Sequence, residues 1–148
     1  MEFFYKMGVY EYSTVNECWR LVCRGPIGTR WIDTNKGDNV NPDIRSRLVG
    51  QEINIGSDDD LFAATPPIEA LKVLLRIAAE RRFSDKNTAI LFADVRRAYF
   101  NAKVTRDIFI KLPKEDPRSS EPGICGKLKL SLYGTRDAAQ NLEKRVWR

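Results

Sequence analysis

The stretch "TAILFAD", residues 88–94, constrains the fold more than any other part of the chain. A run that is apolar on both faces predicts a central strand covered on each side, since it keeps no polar face for water. Asp94 closes the run, and "DVRRAYFNA" turns at once to Arg96, Arg97, Tyr99 and Phe100. A carboxylate at the lip of a core strand is costly unless it is solvated, paired or holding a cation.

The neighbouring elements follow from turn chemistry and periodicity. Residues 1–27 are of mixed polarity and read as a short helix or loop entry. "PIGTRWID" and "IRSRLVGQEI" read as two strands joined by the turn-rich "TNKGDNVNPD", a hairpin whose loop carries Lys36 and whose second strand carries Arg45 and Arg47. "NIGSDDDLFAATPP" reads as a polar loop; its three aspartates lack the spacing and final Glu of a calcium loop. Thr65 as N-cap and Pro66 in the first turn open a helix through "IEALKVLLRIAAERR", whose narrow polar stripe predicts that most of its surface faces protein. "DIFIKLP" alternates as a half-buried strand, with Ile108, Ile110 and Leu112 opposite Phe109 and Lys111. "GKLKLSLYG" alternates too, placing Leu128, Leu130 and Leu132 on one face and Lys127, Lys129 and Ser131 on the other. "TRDAAQNLEKRVWR" predicts a final helix with Ala139, Leu142 and Val146 on one side. Strands and helices, hairpins and crossovers together give an α+β class.

Composition narrows the chemistry. At 148 residues, 43% hydrophobic and 30% charged, the chain suits one soluble domain with a real core. It shows no membrane-length apolar stretch and no signal-like start, so it reads as cytoplasmic or nuclear, with no membrane partner. The absence of histidine removes Ser-His-Asp and Cys-His catalysis. Cys18, Cys23 and Cys125 then read as free, partly buried thiols. Charge is uneven: residues 96–148 hold 13 Lys/Arg against six Asp/Glu, while residues 1–95 hold 12 against 14. A basic C-terminal third points to a polyanionic partner, nucleic acid ahead of membrane, or to a solubilising surface.

An Asp at a strand end before a tight basic and aromatic turn suits a nucleotide-polymerising palm. The carboxylate would ligate Mg²⁺, backbone amides beyond it would approach a triphosphate, and an aromatic would stack under the sugar. The same residue could instead cap the next helix.

From "PIGTRWID" to "SLYGTRDAAQN" the chain resembles the reverse transcriptase domain of Ty1/copia-type retrotransposons. Six motifs carry the resemblance in order: "PIGTRW", "IRSRLVGQE", "FAATPP" with its long helix, "DVRRAYFNA", "IFIKLP" and "CGKLKLSLYGTRDAA". The resemblance implies an RNA-directed DNA polymerase, a nucleotidyltransferase. Its partners would be an RNA/DNA template-primer and dNTP, and its cofactor Mg²⁺ or Mn²⁺ in the complete domain. It implies Asp94 as catalytic residue and metal ligand, with the Val95 carbonyl a second ligand. Lys36, Arg45, Arg47, Arg96, Arg97 and Tyr99 would surround the nucleotide, Tyr99 as the gate beneath the deoxyribose. Lys127, Lys129, Gly134 and Arg136 would lie along the nucleic acid. Each has a plainer alternative: Arg45 and Arg47 can be solvated charges on one strand face, and Tyr99 can be core.

The implied organisation is an N-terminal extension over about 1–25, fingers over about 26–88 and the first part of the palm over about 89–148. The fold expected is a mixed or antiparallel sheet with packed helices, incomplete at its C-terminal end. Two departures stand out. Asp137, Ala138, Ala139 and Leu142 replace the family's Gln-Ala-Pro and later aromatic, so a negative charge enters near the nucleotide. The second metal motif, Tyr-x-Asp-Asp, would fall beyond Arg148. The chain therefore reads as a truncated polymerase fragment, inactive alone, or as a non-catalytic remnant that at most binds nucleic acid.

Overall fold

The computed structural model describes residues 1–53, 66–79, 90 and 94–146. The expected hairpin is there. Strands β2 (Thr29–Asn35) and β3 (Ile44–Gly50) pair antiparallel, with Trp31 opposite Leu48 and Ile32 opposite Arg47. Asn35 organises the connection, since its Oδ1 accepts from the Gly37 and Asp43 amides at 3.0 Å each.

The N-terminal residues are more structured than their polarity suggests. Helix α1 (Glu2–Met7) ends in a left-handed Gly8, strand β1 spans Tyr10–Thr14, and helix α2 spans Val15–Val22. Thr14 caps α2, its hydroxyl accepting from the Glu17 amide at 3.1 Å. This corrects the reading of residues 1–27 as a short helix or loop. The strand was hidden because its alternation sets the amphipathic Tyr10 and Tyr12, not aliphatic residues, against Glu11 and Ser13.

A second sheet has the order β1-β5-β4, where β4 is Phe109–Ile110 and β5 is Ile124–Leu128. All its pairings are antiparallel, with Tyr12 opposite Gly126 and Ile110 opposite Gly126 on the other side. The central crossing is tight at Gly126, where a Cβ would stand 3.0 Å from the Tyr10 ring and 3.2 Å from Ile110, so those side chains would have to shift by a few tenths of an ångström. Past β5 the chain bends, and the Val9 carbonyl accepts from both Lys129 and Leu130 amides, at 2.9 and 3.1 Å.

The main core gathers Phe4, Val9, Leu48, Phe100, Ile108, Ile110, Leu128 and Leu132. A smaller one holds Cys18, Phe109 and Cys125, with Val15 and Val22 against them. That second cluster corrects the reading of "DIFIKLP" as half-buried: Ile108, Phe109 and Ile110 are all buried, because α2 covers the face that Phe109 presents. Cys18, Cys23 and Cys125 are free thiols, the first and last buried as expected and Cys23 exposed.

Helix α4 (Ala138–Val146) also turns differently. It buries Ala138 and Asn141, while Val146 is exposed, in place of the expected Ala139, Leu142 and Val146 face. Ser131, assigned to the outer face of its strand, is fully buried because Asn141 Nδ2 reaches its hydroxyl at 3.2 Å.

Contacts divide the chain into two compact units, Met1–Phe62 with Arg97–Arg148, and Ala63–Arg96. The second contains helix α3 (Ile68–Ala79), which starts just after Pro66 and Pro67 as the sequence predicts. None of its residues is buried, so the expectation that most of its surface faces protein is not met among the described residues. The aspartate run 58–60 and Thr65 lie outside the described residues, as does most of the expected strand 88–94. Of that strand, Ile90 and Asp94 are described; both are exposed and neither is in a strand. No helix among the described residues is long and apolar enough to cross a membrane.

Candidate nucleic-acid interface

Three motifs far apart in sequence meet at one aromatic cluster. Arg97 adopts a left-handed conformation (φ 54°, ψ 45°), which turns the chain into a short 3-10 helix, Ala98–Asn101. That turn buries Phe100 and leaves Tyr99 half-buried. The Tyr99 ring meets Tyr133 edge-on, with centroids 4.7 Å apart and planes at 83°. Phe100 also meets Tyr133, at 5.9 Å. From the hairpin, the Arg47 guanidinium lies 5.9 Å from the Tyr133 centroid, within cation–π range.

Backbone contact fixes this meeting. The Gly50 amide donates to the Tyr133 carbonyl at 2.7 Å, and Val49 and Tyr133 form an isolated parallel bridge. Gly134 makes the approach possible. Its φ is +78°, and a Cβ there would run into the Gly50 carbonyl and the Val49 side chain. The glycine assigned to the nucleic acid thus has a packing task, seating the "SLYG" turn on the end of β3.

The remaining cations are spread out. Lys36 and Arg45 are exposed on the hairpin, and Arg45 pairs with Asp43 at 3.2 Å. Arg97 sits over the Phe3 ring at 3.6 Å. Lys127 pairs with Asp107 at 2.9 Å, which raises its pKa, and Lys129 pairs with Glu11 at 2.7 Å. The Arg136 amide donates to Glu52 at 3.0 Å. The structure thus brings Arg47, Tyr99 and Tyr133 together but does not gather Lys36, Arg45, Lys127 and Lys129 around them.

Asp94, Val95 and Arg96 are exposed in the other unit, ahead of the turn. Exposure leaves the Asp94 carboxylate hydrated, without the desolvation cost that a buried strand end would impose. Among the described residues, no group of three or more His, Cys, Asp or Glu side chains could hold a metal ion. A two-ion site needs carboxylates converging from separate elements. Asp94 with the Val95 carbonyl does not make one, so the described residues do not fit a resident metal pair.

Beside the aromatic cluster lies an ionic network that sequence reading missed. Arg106 grips Glu52 with both terminal nitrogens, Nη1 to Oε1 at 2.9 Å and Nη2 to Oε2 at 2.6 Å. Nη2 also reaches Asp137 Oδ1 at 3.0 Å, and Arg24 adds a 3.0 Å bond to Glu52. Asn141 Nδ2 donates to the other Asp137 oxygen at 2.9 Å, tying the first turn of α4 to the network. The Glu52 and Asp137 side chains are 1% and 2% exposed. Burial alone would raise the Glu52 pKa; the bonds from Arg106 and the Arg136 amide outweigh it and lower the value to about 2. Asp137, which the resemblance places near the nucleotide, is buried and paired with Arg106. Its departure from the family pattern was the one signal, since Glu52 and Arg106 stand 54 residues apart.

A second buried carboxylate, Asp116, accepts from three tyrosines. Tyr5, Tyr10 and Tyr12 hydroxyls reach its Oδ2 at 3.0, 2.6 and 3.2 Å, and the Arg118 amide reaches Oδ1 at 2.8 Å. Desolvation would raise the Asp116 pKa, yet these donors hold it below the usual carboxylate value. Burial and the charge of Asp116 push the Tyr10 phenol well up, so the hydroxyl stays a donor.

Comparison with known proteins identifies the family. The family model "Reverse transcriptase (RNA-dependent DNA polymerase)" matches residues 16–147. The chain therefore belongs to the reverse transcriptase family. It is 26% identical over 133 residues to the "Retrovirus-related Pol polyprotein from transposon RE1" of Arabidopsis thaliana. That alignment covers 83% of this chain and 9% of the polyprotein. No solved structure matches the chain.

Proposed function

We propose that this chain is the fingers and first palm segment of a copia-type retrotransposon reverse transcriptase, and that its parent polyprotein copies RNA into DNA. In that parent, a primer 3′-OH would attack a dNTP α-phosphate along an RNA template. The juxtaposition of Arg47, Tyr99 and Tyr133 carries the reading. A guanidinium and two aromatic rings on rigid backbone are suited to a phosphate and a sugar or base face. Asp94 would supply one carboxylate of a Mg²⁺ or Mn²⁺ site that only the complete domain finishes. Arg45 and Lys36, on the hairpin that carries Arg47, would add positive charge facing the triphosphate, with Arg96 and Arg97 beside the turn. Lys127, Lys129 and Arg136 would contribute phosphate attraction along the template-primer.

The test uses fluorescence anisotropy with a labelled RNA/DNA template-primer. The expected result is weak, sequence-indifferent binding that falls steeply with salt. Replacing Arg47 and Tyr99 together by Ala should weaken it several-fold, and Asp94→Asn should leave it unchanged. Binding insensitive to salt, or unaffected by the double substitution, would overturn the assignment. In primer extension with Mg²⁺ or Mn²⁺ the chain alone should be inactive. Extension that disappears in Asp94→Asn would show that the site is complete within these 148 residues.

A further inference from the structure

Residues 1–14 precede the matched family segment, yet their side chains meet the basic C-terminal third at three cations. The Phe3 ring lies 3.6 Å from the Arg97 guanidinium carbon, and the Tyr12 ring 4.6 Å from that of Arg118. Glu11 pairs with Lys129 at 2.7 Å. Glu11 stands opposite Lys127 in the β1–β5 register, so Lys129 is its diagonal neighbour, within reach of a long side chain.

These side chains are held in place by the fold. Val9 is fully buried, Phe4 joins the main core, and Tyr5, Tyr10 and Tyr12 converge on Asp116. The backbone of the segment is therefore part of the sheet, and it presents Glu11 and the two rings to Lys129, Arg97 and Arg118.

From these contacts we propose that residues 1–14 form an intramolecular competitor for polyanions, a strap that occupies Arg97, Arg118 and Lys129. A nucleic-acid phosphate binding Lys129 would compete with Glu11, and one binding Arg97 or Arg118 would compete with the two rings. Lys129 already has a carboxylate partner, so a phosphate that replaces it releases less counterion than it would from a free lysine. The nature of the polyanion rests on the polymerase reading above; the competition itself rests on the contacts.

The test compares wild type with Glu11→Gln, Phe3→Leu and the pair, each with and without Lys129→Gln. Glu11 and Lys129 are both about half exposed, so Glu11→Gln should leave folding intact and strengthen binding of a labelled single-stranded oligonucleotide by roughly two- to five-fold. It should also steepen the log–log salt dependence by about 0.7. Phe3→Leu should add a smaller gain, and Lys129→Gln should cancel the Glu11 effect. Unchanged affinity and slope in Glu11→Gln, or a gain that persists with Lys129→Gln, would overturn the strap. Retention on immobilised heparin separates the two readings. If Glu11→Gln elutes later while no variant binds the oligonucleotide, the strap stands and the nucleic-acid assignment falls. If wild type binds the oligonucleotide and Glu11→Gln changes neither readout, the assignment stands and the strap falls.

Discussion

Helices α3 and α4 invert what their compositions suggest. α3, "IEALKVLLRIAA", is the more apolar, yet none of its residues is buried, and Leu71, Val73, Leu74, Leu75 and Ile77 are all exposed. α4, "AAQNLEKRV", is polar over most of its length, yet it buries Ala138 and Asn141 and is anchored through Asp137. Hydropathy states what a helix can bury. What holds α4 is a set of addressed polar partners: Asp137 to Arg106, and Asn141 to Ser131 and the Thr105 hydroxyl.

The sharpest way to break this contrast is Arg106→Ala. It leaves Glu52 and Asp137 buried without their shared cation, and removing one partner of a buried ionic group costs about 3–5 kcal/mol. Urea denaturation should show a loss of that size. A loss under about 1 kcal/mol would mean that packing alone, and not the network, holds α4.

Acid should act on the same region with a defined sign. The folded-state pKa of Glu52 lies below its ordinary value of 4.5, at about 2. Its contribution to stability is therefore complete above pH ~4.5 and lost as pH falls from there towards 2. The shift corresponds to about 3 kcal/mol. Glu52→Gln should be less stable at neutral pH and should flatten the acid side of a stability–pH curve. An identical acid limb in wild type and variant would separate Glu52 from acid unfolding.

The smallest expected effect belongs to α3. Leu74 is 58% exposed, so Leu74→Lys should change stability by no more than about 0.5 kcal/mol, as measured by thermal or urea unfolding. A loss of about 2 kcal/mol would show that this apolar face is covered after all and would erase the contrast.

What could be read in advance follows the range of the interactions. The β2–β3 hairpin was legible because Asn35, Gly37, Asp38 and Pro42 act on residues beside them. The start of α3 and the Leu128/Leu132 face were legible for similar reasons of local turn and period. β1 was not, since its partner is β5, more than a hundred residues away, and its tyrosines serve Asp116 in place of an apolar core. That omission carried through: without α2, Phe109 had no cover, so β4 read as half-buried. In the candidate site, the "SLYG" turn and Tyr99 stood out as motifs, but the seat of Gly134 on β3 depends on a backbone approach that no pattern encodes. The ionic network was invisible because charged residues mark themselves as surface until their partners are known.

The pairing of Tyr10 with Leu128 has a consequence for biosynthesis. β1 leaves the ribosome well before β5, its strand partner among the described residues, exists. At roughly 5–20 residues per second, the intervening stretch takes about 6–24 s to appear. For that interval Phe4 and Val9 belong to a nascent chain with no sheet to enter, and closing so long a loop slows the step further. A chaperone that grips short aromatic and aliphatic stretches would find a foothold there, on Phe3 to Tyr10, and would have to let go as "CGKLKL" emerges.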